Sequence, residues 1–303
     1  MQKILQYNNR FYNFCVQRNF LIAPSLARIG LGLIILYNYL ILYFQRNVIL
    51  SHNGIVGTQN DNPTLYNFIT SPILFEIVFH CGILFAVLYT IGFYTKIVGI
   101  ANFILTFSFI NQGYLLTDGG DNLLILLLFY LLFTNDSAYF AIKPLKIKND
   151  VFNLIHNFAI TACIIQICIV YFTSALYQIN GEKWFNGTAL YYITQVDLYS
   201  NPNLDFLISQ NDIIMTFLTY FSIIIKIAFP FFIFNKRTKV FIACNIILFH
   251  LGISIFMGLV TFGMTMMIAE SLIFTDKEYK RYYNRIKNLK GLISHGRKNR
   301  NIL

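Results

Sequence analysis

The feature that most constrains this chain is a succession of long apolar runs. They cover roughly 21–44, 73–93, 97–110, 122–134, 153–177, 212–234, 238–256 and 259–274. A helix needs about 20 apolar residues, at about 1.5 Å each, to cross the hydrocarbon core of a bilayer. The third and fourth runs fall short and extend into their loops. The last two form one stretch of 37 residues, too long for a single crossing. Gly258 and Gly263 offer a break there, so two helices are expected, with a re-entrant hairpin as the alternative. A membrane β-barrel would alternate polar and apolar residues in short segments, whereas Leu123–Phe133 is apolar almost without interruption. Charged residues make up only 12% of the 303 positions, against about a quarter in soluble proteins. Too little charge is present to coat a water-facing surface. The expected fold is therefore all-α: a polytopic integral membrane bundle of about eight transmembrane helices.

Charge places the ends. The net +10 would point to nucleic acid in a soluble protein, but in a membrane protein it first reports topology. With the N-terminus in the cytoplasm, the inner segments collect Lys3, Arg10, Arg18, Lys96, the Lys143/Lys146/Lys148 group and the Lys236/Arg237/Lys239 group. The outer segments carry Arg46 and Lys183 but seven acids, including Asp118, Asp121 and Glu182. Both termini are thus expected in the cytoplasm. Three segments follow: a cytoplasmic N-terminal stretch 1–19, a transmembrane bundle 20–275 and a basic cytoplasmic tail 276–303. The tail has nine basic and two acidic residues and reads as a segment lying on anionic lipid. No cleavable signal peptide and no second domain are visible. None of the five cysteines forms CxxC, and they read as packing residues.

Ionisable residues inside spans are costly and mark candidate sites. Arg28, Lys226 and Glu270 are expected to share the inner leaflet, where Glu270 would ion-pair with Lys226 or Arg28. Toward the outside, Glu76 and His80 lie four apart on one helical face. Asp118 and Asp121 flank a glycine pair, His250 lies in the outer half of the seventh run, and Trp184 sits in the loop that also holds Lys183 and Gly187. Together these would line an outward-facing polar pocket. His80, Asp121 and His250 are the acid–base candidates, with Glu76 orienting His80. Arg28, Glu76, Asp118, Lys183, Trp184, Gly187, Lys226 and Glu270 are the binding candidates. Two acids and two histidines could also hold a metal, but no HExxH-type spacing supports one, and no metal or cofactor is expected. His156 is expected at the inner interface. GxGxxG, P-loop and GxSxG patterns are absent.

Several stretches carry a family resemblance: Ala27-Arg28-Ile29-Gly30-Leu31-Gly32, Thr90 to Lys96, Asp118-Gly119-Gly120-Asp121, Tyr171 to Gly187, and Phe249-His250 through Gly258 and Phe262. Over about residues 20–275 the chain resembles the horizontally transferred transmembrane family, bacterial relatives of vitamin K-dependent γ-carboxylase. Its compact length looks most like the sporulation-delaying protein B group, which is linked to production of secreted antimicrobial peptides. In the carboxylase a lysine after the Tyr-Phe of the fifth helix serves as base. Here the matching position is Gln178, and an amide cannot accept a proton near neutral pH. Lys183 is a poor substitute across the loop. Lys226 is a second departure, where relatives carry an acid.

The resemblance implies a bacterial cytoplasmic-membrane protein needed for maturation or export of a secreted peptide toxin, without carboxylase activity. Its partners would be the toxin precursor at loops 45–72 and 178–211, membrane lipids, and an accessory protein on the basic inner face. No nucleic-acid partner is expected. The alternative is a membrane enzyme acting on a quinone-like or lipid substrate. A small-solute transporter is a third class, for which neither inverted repeats nor clearly broken helices are found.

Overall fold

A computed structural model describes residues 12–13, 15–56, 63–146, 149–199, 201, 210–285 and 287–288. Most of segment 1–19 and the tail beyond 288 lie outside the described residues, as do parts of loops 45–72 and 178–211. The described residues are helical with no strand. Each apolar run becomes one helix: α1 (Ile22–Ile41), α2 (Pro72–Thr90), α3 (Thr95–Gln112), α4 (Gly119–Leu131), α5 (Asp150–Asn180), α6 (Asp212–Phe232), α7 (Lys239–Phe256) and α8 (Val260–Ser271). Five of these, α1, α2, α5, α6 and α7, are long and apolar enough to cross a membrane. α4 and α8 have only 13 and 12 residues. At about 1.5 Å per residue they fall well short of a hydrocarbon layer.

Local chemistry sets the helix ends. Asp118 and Asp121 form a capping box at the start of α4: the Asp118 carboxylate accepts from the N–H groups of Gly120 and Asp121, and Asp121 accepts from Asp118 N–H. Pro72 sits in the first turn of α2, where its missing N–H costs nothing. The long apolar stretch breaks at Gly258, which takes φ +68°, a conformation that disfavours side chains. Gly263 does not break the chain. It lies inside α8, where a Cβ would meet Ser254 Oγ at 2.0 Å and the His250 carbonyl at 2.6 Å. It is what lets α7 and α8 lie against each other.

Neighbouring helices pack in order, α1 on α2, α2 on α3, α5 on α6 and α6 on α7. The short α8 is the exception. It touches α1, α4, α5 and α7, so it stands at the centre of the bundle. The first and last parts of the bundle meet around it, and the core runs from Ala27 and Leu31 through Leu124 and Leu127 to Ala269 and Leu272. One end of the bundle holds the start of α1, the α4–α5 loop and the segment after α8. The other holds the long loops. The five cysteines are free, and Cys244 is exposed on the bundle surface rather than packed inside.

Candidate functional site

Tyr171, Ser174 and Gln178 follow one another on one face of α5, at the spacing of helical turns. α6 brings Lys226 to this stripe, α7 brings His250 and central α8 brings Glu270. The Tyr171 hydroxyl donates to Glu270 Oε1 and lies 2.8 Å from His250 Nε2. His250 Nε2 is also 3.5 Å from Glu270 Oε1. All three are enclosed, at 1%, 1% and 0% exposure. Because Tyr171 donates to Glu270, a neutral His250 ring donates from Nε2 to the Tyr171 oxygen and keeps its lone pair on Nδ1. Phe229, Phe249 and Phe262 wall the group. The ring is thereby held in one tautomer by a hydroxyl that a carboxylate holds in turn, the arrangement of an oriented acid–base histidine.

Lys226 lies beside this triad. Its Nζ is 3.3 Å from Ser174 Oγ, 5.3 Å from the Phe249 ring and 6.0 Å from the Trp184 ring. The loop after α5 makes the last contact possible, because it turns back along α6 instead of leaving the bundle. Gly187, at φ +74°, abuts Thr216 and Tyr220 where a Cβ would meet Thr216 Cγ2 at 2.9 Å. Tyr220 donates to the Phe185 carbonyl at 2.8 Å, and Leu190 N–H to Thr219 Oγ1 at 3.3 Å. Lys183 points elsewhere and stacks on the Tyr192 ring at 4.1 Å.

The remaining sequence-derived candidates fall in other places. Arg28 does not pair with Glu270. Its guanidinium donates to the carbonyls of Asp136 at 3.0 Å, Tyr89 at 2.8 Å, Phe140 at 2.6 Å and Thr90. Two of these acceptors close the last turn of α2, where a cation complements the helix dipole. Glu76 binds Arg46 at 2.9 Å and Asn47 at 2.7 Å, while His80 meets Tyr43 at 3.2 Å and the Glu76 carboxylate at 3.4 Å. This cluster ties the chain after α1 to α2. Asp118 and Asp121 border a cavity of about 480 Å³ between α1, α3 and the α7–α8 turn. Asn38 donates to Asp121 across it at 3.3 Å. The structure therefore brings together His250, Glu270, Lys226 and Trp184, and keeps Arg28, Glu76, His80, Asp118 and Asp121 apart from them.

Two features escaped sequence reasoning. Tyr171 was one, although a phenol hydroxyl in mid-span must find a partner. The other is the buried turn Thr134-Asn135-Asp136-Ser137 after α4. Thr95 donates to Asp136 at 2.8 Å, and Lys96 to the carbonyls of Leu132, at 2.7 Å, and Thr134. Asn135 N–H donates to His156 Nδ1 at 3.0 Å, and His156 is enclosed among protein atoms. Burial pushes the Asp136 carboxyl up, against the pull of Lys96, Thr95 and Arg28.

Two proteins of Bacillus subtilis (strain 168) are similar in sequence. Sporulation-delaying protein SdpB is 25% identical over 245 residues, which span 76% of this chain and 75% of that protein. Uncharacterized protein YitO is 25% identical over 113 residues, 36% of each chain. No family model and no solved structure matches. The likeness to SdpB runs through most of both chains, as the resemblance to the sporulation-delaying protein B group implied.

Proposed function

We propose that this chain is a multi-pass protein of the bacterial cytoplasmic membrane that takes part in the maturation or export of a secreted antimicrobial peptide toxin. The observation that carries the reading is the similarity to SdpB over 245 residues. The five helices long enough to cross a bilayer support the membrane location. In this reading α1 to α8 all lie in the membrane, the three shorter ones within the bundle, and both termini face the cytoplasm. The precursor is met at the long-loop end and an accessory maturation protein at the basic end. The carboxylase-like membrane family supplies the architecture without its reaction, since Gln178 stands where that family has its lysine base.

The test is co-expression in bacterial membranes with a small secreted-peptide precursor encoded beside the chain, followed by mass spectrometry of the medium. Mature peptide is expected only when the chain is present. Mature peptide in its absence overturns the reading.

The convergence of Tyr171, His250 and Glu270 favours a second reading, a membrane enzyme acting on a quinone-like or lipid substrate. His250 would be its acid–base group. In that case His250→Ala inserts and folds normally yet loses all activity. A maturation scaffold instead tolerates this change and fails when loop 181–194 is altered.

A further inference from the structure

Among the described residues, the enclosed cations are compensated in every case but one. Arg28 has four carbonyl oxygens and Lys96 two. Arg46 pairs with Glu76 at 2.9 Å and Lys239 with Glu278 at 3.1 Å. Lys226 is buried, at 8% exposure, second only to Arg28 among these cations, yet has one hydroxyl and two aromatic faces. None of the ion pairs among the described residues includes it. A hydroxyl and two ring faces replace only part of the hydration of an ammonium group, so a cation so placed is poorly balanced without an anion. Three further enclosed atoms on the same helices have no hydrogen-bond partner: Gln178 Oε1, His250 Nδ1 and Glu270 Oε2. Each such atom calls for a partner, which a bound water or ligand can supply.

We propose that Lys226 is the anion-binding residue of a ligand site among α5–α8, and that the site takes a single carboxylate carried on an apolar body. One ammonium group offers one positive charge, which one carboxylate balances and a doubly charged phosphate monoester exceeds. The walls are Phe249 and Trp184, so the remainder of the ligand is apolar. The unpartnered oxygens want donors, which a peptide N–H or a bound water beside the carboxylate supplies. Such a carboxylate has two sources, the C-terminus of an apolar peptide and a free fatty acid of the bilayer. The peptide source rests on the maturation reading above, and the carboxylate preference does not.

Trp184 is the only tryptophan of the chain, so its emission reports on this site alone. The full chain in detergent is titrated with decanoate against methyl decanoate. A second titration sets an N-acetylated apolar tripeptide with a free carboxylate against its C-terminal amide. The acid of at least one pair is expected to half-saturate at a concentration about tenfold or more below that of its neutral partner, the size of one charge-assisted hydrogen bond. Lys226→Gln removes that preference and Arg237→Gln, exposed between α6 and α7, keeps it. A response to decanoate alone assigns the lipid source and a response to the peptide alone the peptide source, and either supports the site. Equal responses to acid and neutral partners, no response to either acid, or a preference that survives Lys226→Gln overturns it. If Lys226→Gln does not fold, the acid-over-neutral comparison in the unchanged chain decides. Absence of the carboxylate preference in the unchanged chain, when that chain still yields mature peptide, overturns this site and leaves the maturation reading standing.

Discussion

Arg28 and Lys226 are both enclosed cations, and they differ in what surrounds them. Four backbone carbonyls converge on Arg28 from the end of α2 and the turn after α4, so the guanidinium joins three elements. Removing it strands these acceptors in a place water does not reach. Arg28→Met is expected to cost about 3 kcal/mol or more, given that unpaired buried acceptors cost about 1–3 kcal/mol each. Lys226 strands only the Ser174 hydroxyl, which can turn back to its own helix. Replacing a poorly compensated buried charge by an apolar side chain of similar length is often neutral or stabilising. Lys226→Met should therefore keep or raise the melting temperature of the detergent-solubilised chain while Arg28→Met lowers it sharply. Equal losses in a thermal scan would show that Lys226 is a structural cation too. The two look alike in the sequence, where each is one basic residue in an apolar run. Only the partners separate them, and those come from elements far off in the chain, 61 residues for the bond of Arg28 to Tyr89 and 112 for that to Phe140.

At the scale of the element, α8 is the short helix on which the rest converges, and Gly263 is where it meets α7. An alanine there would gain up to about 1 kcal/mol of helix propensity. It would also place a Cβ 2.0 Å from Ser254 Oγ and 2.6 Å from the His250 carbonyl. The hydroxyl is itself bonded to that carbonyl at 2.9 Å, and a backbone oxygen cannot rotate away, so the clash wins. Gly263→Ala should destabilise by about 2 kcal/mol through overpacking. Gly252→Ala on α7 meets nothing within 4 Å and should be neutral or slightly stabilising, so comparing the two melting curves isolates the packing effect. The helices themselves were legible, because apolar runs of this length have one outcome in a membrane protein. The break at Gly258 was legible as well. The meeting of Tyr171, His250 and Glu270 was not, since each is a single polar residue on its own run and no short-range spacing links them. Nor was the contact of Lys226 with Trp184. Counting residues from the helix end assumes that loops leave the bundle, and the loop from Gly181 to Thr194 folds back along α6 to bring Trp184 to it.

At the scale of the whole molecule, the described chain closes on itself. The Asp276 carboxylate accepts the N–H groups of Leu21 and Ile22 at 2.9 and 2.8 Å, and Asp276 N–H donates to the Asn19 carbonyl at 2.8 Å. The segment after α8 thus caps the start of α1, and the two ends of the bundle lie on one side. The even number of passes proposed above would have this consequence, and in that reading the positive-inside rule makes the basic end the cytoplasmic side. Asparagine at 276 keeps one acceptor oxygen but loses the charge that favours a helix N-terminus, so it weakens the latch without changing the topology. Topology is tested on a background in which the five cysteines are replaced. Lys183→Cys in the loop after α5 should react with a membrane-impermeant maleimide in intact cells. Arg237→Cys, between α6 and α7, should react only after permeabilisation. Lys183 is exposed beside Tyr192 and Arg237 is exposed after α6, so both are open to the reagent wherever water reaches them. Labelling of Arg237→Cys in intact cells would invert the bundle and place the basic end outside. The site beneath Trp184 would then open toward the cytoplasm, and a secreted precursor could meet it only before export.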